Sequence, residues 1–203
     1  MYKFFLLLAM AFSIYTMNND CPINSLGRYA AEEPKNIFEA AAQGNISKIK
    51  EFLEKDDVNA RDPYSGDTAL KIASFYGKTA LVEFLLKKGA NPNIQDNAGD
   101  TALMAVVFVQ PIAISHLLLK YGANPNTQNQ NGETALMKAV WYTRKDIIEQ
   151  LLAANVNLDL TDKNGTSARM IVERLSCGGH YNELLSPIKK LFEDHKAKKK
   201  NTP

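Results

Sequence analysis

Histidine and cysteine are scarce: His116, His180 and His195, with Cys21 and Cys177, are the whole supply in 203 residues. That excludes a disulfide-dense scaffold and a zinc module built on paired cysteines. The dinucleotide fingerprint, the phosphate-binding P-loop, HExxH, CxxC and G-x-S-x-G are missing too. With them go the usual signatures of nucleotide, metalloprotease, thiol-redox and hydrolase chemistry. Cys177 and His180 make half a zinc site with no second pair nearby, and the Gly178-Gly179 between them reads as a flexible loop. No catalytic residue, metal or cofactor is expected, and the chain is not read as an enzyme.

No apolar run is long enough for a membrane span, which takes about 20 residues. The one extended stretch, Phe4 to Tyr15, follows a single cation, Lys3. Its length suits the hydrophobic region of a secretory leader, about 7–15 residues. Asn18-Asn19-Asp20-Cys21-Pro22 then cuts it off from the body. Residues 1–17 are therefore read as a leader and 18–34 as a linker, although Ile14 to Asn18 offers no pair of small residues for cleavage. An uncleaved anchor and a buried terminal segment are the alternatives. The expected destination is a periplasm or the outside of the cell, or a membrane tether if the leader stays on.

Neither sign of charge dominates: 24 basic side chains face 22 acidic ones, a net +2. Setting aside Lys3 and the tail lysines Lys196, Lys198, Lys199 and Lys200 leaves 19 bases against 22 acids. A mildly acidic body with a basic tail over 196–203 does not look like a nucleic-acid-binding surface, so no such partner is expected. The polar stretch from His195 to Pro203 is predicted to fray.

What the chain does have is copies of itself. Gly66, Gly99, Gly132 and Gly165 stand 33 residues apart, as do Leu85-Leu86, Leu118-Leu119, Leu151-Leu152 and Leu184-Leu185. Asp67-Thr68-Ala69-Leu70 returns as Asp100-Thr101-Ala102-Leu103 and Glu133-Thr134-Ala135-Leu136, then decays to Thr166-Ser167-Ala168-Arg169. A fixed period of this size means a stacked array. In each unit Thr68, Thr101, Thr134 or Ser167 is placed to cap a short helix. In the second copy that helix is predicted over Ala69 to Tyr76, ending at a left-handed Gly77. A longer helix, Thr79 to Lys88, turns Leu81, Val82, Leu85 and Leu86 to one face. It stops at Gly89, and its equivalents stop at Gly122 and Asn155. Pro111 falls in an opening turn, where its missing N–H is harmless. Asn91 to Gly99 reads as an exposed hairpin turn.

These residues resemble the ankyrin repeat, D-x-x-G-x-T-P-L-H followed by two helices and G-A-x-x-N. Asp96-Asn97-Ala98-Gly99-Asp100-Thr101-Ala102-Leu103 is the closest copy, with Ala102 for the proline and Met104 for the histidine. The expected fold is an all-α solenoid of five helix-turn-helix units with hairpin loops. The units run over about 35–61, 62–95, 96–128, 129–161 and 162–195, the first one residue short before Asn59. All lack the family's histidine, so its hydrogen bonds must be absent or replaced. Gln110 and Thr143 take the place of Gly77, at a cost if the turn stays left-handed. The last unit inserts Cys177 to His180 and delays its second helix to about Ser186–His195, where Lys189, Lys190, Glu193 and Asp194 suit a capping unit with one wet face. Cys21 and Cys177 then lie four units apart, about 40 Å at roughly 10 Å per unit, so an intramolecular disulfide is not expected.

The resemblance implies a binding module that uses its hairpin tips and concave face. Two variable positions end each first helix: Phe75 and Tyr76, Phe108 and Val109, Trp141 and Tyr142. The period predicts Phe75, Phe108 and Trp141 in one ladder, with Tyr76, Val109 and Tyr142 beside it. Ala42-Gln43 and Arg174-Leu175 do not continue it. Asp67, Asp100 and Glu133 add a row of acids suited to a basic rim on a partner. The alternatives are rings packed between units and acids merely solvated. The expected function is capture of a protein partner by a monomer. A partner-free envelope accessory or chaperone-like protein is the alternative, as is a host-directed effector. Small leader-bearing chains of this family resemble exported bacterial ones.

Overall fold

In a computed structural model, residues 33–109, 112–154, 156–176 and 182–200 are described. The predicted leader, Pro111, Gln110, Asn155 and the Cys177–His180 insertion lie outside them.

Ten α-helices follow in pairs, and no strand forms among the described residues beyond the isolated bridges Arg61–Thr68 and Thr161–Ser167. The first helices of the units are α1 (Ile37–Gln43), α3 (Ala69–Phe75), α5 (Ala102–Ala105), α7 (Ala135–Trp141) and α9 (Ala168–Ser176). The second helices are α2 (Ile46–Phe52), α4 (Thr79–Lys87), α6 (Ile112–Lys120), α8 (Lys145–Ala153) and α10 (Asn182–Lys200). Each packs against its partner, and the first helices stack in one row. The core repeats with the sequence: Leu70, Leu103 and Leu136 are buried 33 residues apart, as are Leu85, Leu118 and Leu151. The period therefore becomes a continuous apolar seam, each such leucine contributing about 1.5–3 kcal/mol.

Capping follows the expected pattern in three of four places. Thr68 Oγ1 accepts from Lys71 N, Thr134 Oγ1 from Met137 N and Ser167 Oγ from Met170 N. Asn36 does the same for α1, accepting from both Phe38 N and Glu39 N. Thr101 is the exception and caps nothing. Met104 N donates instead to the Thr101 carbonyl at 3.1 Å, so a tightened first turn has already used the donor the hydroxyl would need.

The third unit also breaks the predicted seven-residue first helix. α5 stops after Ala105, a 3-10 turn covers Val106–Phe108, and Val109 is extended at φ −123°, ψ 165°. Units one, two and four close their first helices with a left-handed residue, Gly44, Gly77 or Thr143. In the sequence the third unit has Gln110-Pro111 at that place, and a residue before proline is biased toward extended backbone. Thr143 is the one non-glycine residue with positive φ among those described, at 51°. Its N–H donates to Val140 O as Gly77 N donates to Ser74 O. A β-branched residue is strained there. Thr143→Gly should therefore stabilise the chain by about 1 kcal/mol, read as a rise of roughly 2–4 °C in thermal midpoint. An unchanged or lower midpoint would show that the turn tolerates its threonine.

Two further departures concern length. The hairpin of the second unit is one residue longer, closing from Gly66 N to Asp62 O where the next closes from Gly99 N to Asp96 O. The extra residue carries Tyr64 into solvent, 91% exposed. In the last unit the second helix begins at Asn182, not Ser186, and continues past His195 to Lys200. The predicted frayed tail is thus helical over most of its length, because alanine and lysine favour helix and no breaker follows Pro187 before Lys200. Ile188 and Phe192 are buried while Lys189, Lys190, Glu193 and Asp194 face water.

Candidate protein-binding face

The ends of the first helices carry the rings that the period had placed there. Phe75, Phe108, Trp141 and Tyr142 are about two-fifths exposed, while Tyr76 and Val109 are half-buried. The stacking differs from a simple ladder. Phe75 meets Tyr76 edge-on at 5.2 Å and Phe108 at 6.4 Å, and Phe108 then meets Tyr142, not Trp141, edge-on at 4.8 Å. The 3-10 turn carries Phe108 off the register that the 33-residue period assumes, which brings Tyr142 into the strip. Burial pushes the Tyr142 hydroxyl above its usual range, so it stays neutral.

The hairpin acids do not stand alone. Lys71 Nζ lies 2.5 Å from both Asp67 and Asp96. Lys138 Nζ lies 3.4 Å from Asp100 and 3.3 Å from Glu133, and Asn129 Nδ2 donates to the same two carboxylates. Burial works against the Lys71 charge, but its two carboxylates outweigh that and hold it protonated beyond the ordinary lysine range. The same contacts hold Asp96 low against burial. A row of free acids, as the sequence suggested, is therefore a row of acids bridged by two lysines. The four-residue step from Asp67 to Lys71 is the signal that could have shown it.

Lys71 occupies the position of the family's histidine, and the stitching between units comes from elsewhere. Asn59, Asn93 and Asn126 each accept the backbone N–H of the next unit, from Asn91, Asn124 and Asn157. Gln95 and Gln128 donate both within their hairpin and to the next, to Gln128 O and Thr161 O. Arg144 does the most across the third unit. Its Nη1 donates to Val107 O and Val109 O at 2.8 and 2.7 Å, while Nη2 holds Asp146 at 3.0 Å. It thus satisfies carbonyls that the broken helix leaves open.

Where the first two units meet, a groove of about 520 Å³ opens between α1, α3 and the Asp62–Asp67 hairpin. Ala42 stands at the place that Phe75 fills one unit later, so the groove is the space of a missing ring. Among the described residues no group of three or more His, Cys, Asp or Glu is placed to hold a metal ion. None of the described helices is long and apolar enough to cross a membrane.

Stacked helix pairs, hairpins and a face of variable side chains define a repeat protein of the binding-module kind. The family model for ankyrin repeats (three copies) matches residues 37–129, 70–164 and 110–186, and the chain belongs to the ankyrin repeat family. Over 61 residues it is 44% identical to the DNA-binding protein RFXANK of Homo sapiens, a stretch covering 29% of this chain and 23% of that protein. The family implies a protein-interaction module and is generally non-enzymatic.

Proposed function

We propose that this chain is a non-catalytic monomer that captures one protein partner on the face formed by its first helices and hairpins. The observation that carries the reading is the strip Tyr76–Phe75–Phe108–Tyr142, with Trp141 beside it. Apolar rings this exposed, in contact across three units, are unfavourable in water and are the usual anchors of an interface. The relative is named for DNA binding, but on this face Asp67, Asp96, Asp100 and Glu133 outnumber Lys71 and Lys138. We read no nucleic-acid role into it. The leader-like residues 1–17 support export to a periplasm or beyond, with tethering by an uncleaved leader as the variant form.

A second reading, a partner-free accessory, is favoured by one observation: the rings already cover one another in part. The test separates the two. Wild type and a Phe75→Ser/Phe108→Ser/Tyr142→Ser variant of unchanged circular dichroism are used as baits against envelope and secreted fractions. One saturable complex should weaken by about a hundredfold or more in the variant. Broad, weak capture that ignores the rings would support the accessory reading. Absence of the chain itself from those fractions would end the export proposal.

A further inference from the structure

This inference rests on the docking reading above and concerns the chemistry of what docks. We propose that the groove between the first two units takes a cationic side chain of the partner, an arginine for preference, and that a bulky apolar side chain of the same segment lies on the Phe75–Phe108–Tyr142 strip.

The groove is lined by both carboxylates and rings: Glu39, Asp62 and Asp67 together with Phe38, Phe75 and Tyr76. Lys71 also lines it, but that lysine is shared between Asp67 and Asp96. Three lining carboxylates thus meet one lysine, whose charge Asp96 also shares from outside the groove, and the lining carries a net charge of −2.

Glu39 already accepts from Lys35 N and Asn36 Nδ2, but the two hairpin carboxylates have acceptor capacity to spare. Asp62 uses Oδ1 to hold its own turn, accepting from Tyr64 N and Ser65 N. Asp67 uses Oδ1 for Lys71. The Oδ2 atoms of both are left for a guest. An anionic side chain would be repelled here, and an apolar one would desolvate these oxygens without pairing them. A guanidinium suits both kinds of lining residue, forking onto carboxylate and stacking on a ring. From Phe75 over Phe108 to Tyr142 the ring centroids step by 6.4 and then 4.8 Å, a reach that about four extended residues span. The partner segment therefore carries its cation at one end and its apolar anchor within about four positions of it.

The probes are random displayed peptides of about twelve residues, long enough to cover the strip, selected against the full chain. Enriched peptides should carry Arg or Lys within about four positions of Phe, Trp, Leu or Met. Their affinity should drop by about tenfold or more in Asp67→Asn and in Glu39→Gln, and on raising salt from about 0.05 to 0.5 M. The salt series on wild type does not depend on any variant folding. Enriched peptides that lose affinity in Phe108→Ser or Tyr142→Ser, yet lack a cation and ignore the acids and salt, would overturn this inference and leave the docking reading standing. If no peptide is enriched, or none depends on the rings, both fall.

Discussion

Gly99→Ala is expected to cost about 3 kcal/mol of stability, against about 1 kcal/mol for Gly122→Ala. Both glycines are left-handed, at φ 82° and 87°, so the conformational part of the loss is the same. Their surroundings differ. A Cβ on Gly99 would lie 2.7 Å from Gln130 N and 3.0 Å from Asn129 Cα, whereas one on Gly122 meets nothing within 4 Å. The atoms crowding Gly99 are backbone, so no side chain can rotate away. They also belong to the seam itself, since Gln130 N donates to Ala98 O and ties one hairpin to the next. Urea midpoints of the two variants, compared at equal slope, decide the matter. Equal losses would mean that the hairpins yield freely and that backbone conformation is the whole cost.

Replacing Arg144 should be comparably damaging and more local. Arg144→Met is expected to cost about 3 kcal/mol, because it unpairs two carbonyls and the Asp146 carboxylate together. Arg144→Lys should recover less than half, since one ammonium cannot fork to both sides. Hydrogen exchange should speed up first over Val106–Phe108. Burial tends to raise the Asp146 pKa, but the bond and charge of Arg144, together with the backbone N–H groups of Ile147 and Asp146, hold the group low. An aspartate depressed in the folded state adds stability above its unfolded pKa of about 3.9, and loses it as pH falls through the lower folded value. Arg144→Met should therefore flatten the acid side of the stability profile. Wild-type protection over the 3-10 turn in that variant would show that Arg144 is an onlooker.

Much of this architecture was legible in the residues. The 33-residue period placed the helices, the buried leucines and the left-handed Thr143. The hydrogen bonds of Asn59 and Asn93 to successive units match the one-residue shortfall read before Asn59. What could not be read was the behaviour of a unit that keeps the motif but places Gln110-Pro111 after its first helix. Thr101 looks as good a cap as Thr68, and only the tightened turn beneath it explains why its hydroxyl is idle. The strip was legible as a set of rings but not in its order, because the period presumes identical backbones and Phe108 rides on a different one. Lys71, Lys138 and Arg144 reach across units, to partners 25 to 38 residues away. Local spacing rules do not extend that far.

The interruption after Ala105 has a mechanical meaning. A solenoid transmits load from unit to unit through nearest neighbours alone, and its row of first helices has one joint where a strap, Arg144, stands in for helix. Drawn apart from its ends, the chain would give way there before its better-closed neighbours. The rings cross that same joint, from Phe75 over Phe108 to Tyr142. Whatever lies along them would act as a splint, stiffening the array at its weakest course, so that occupancy could be felt as rigidity at both ends of the stack.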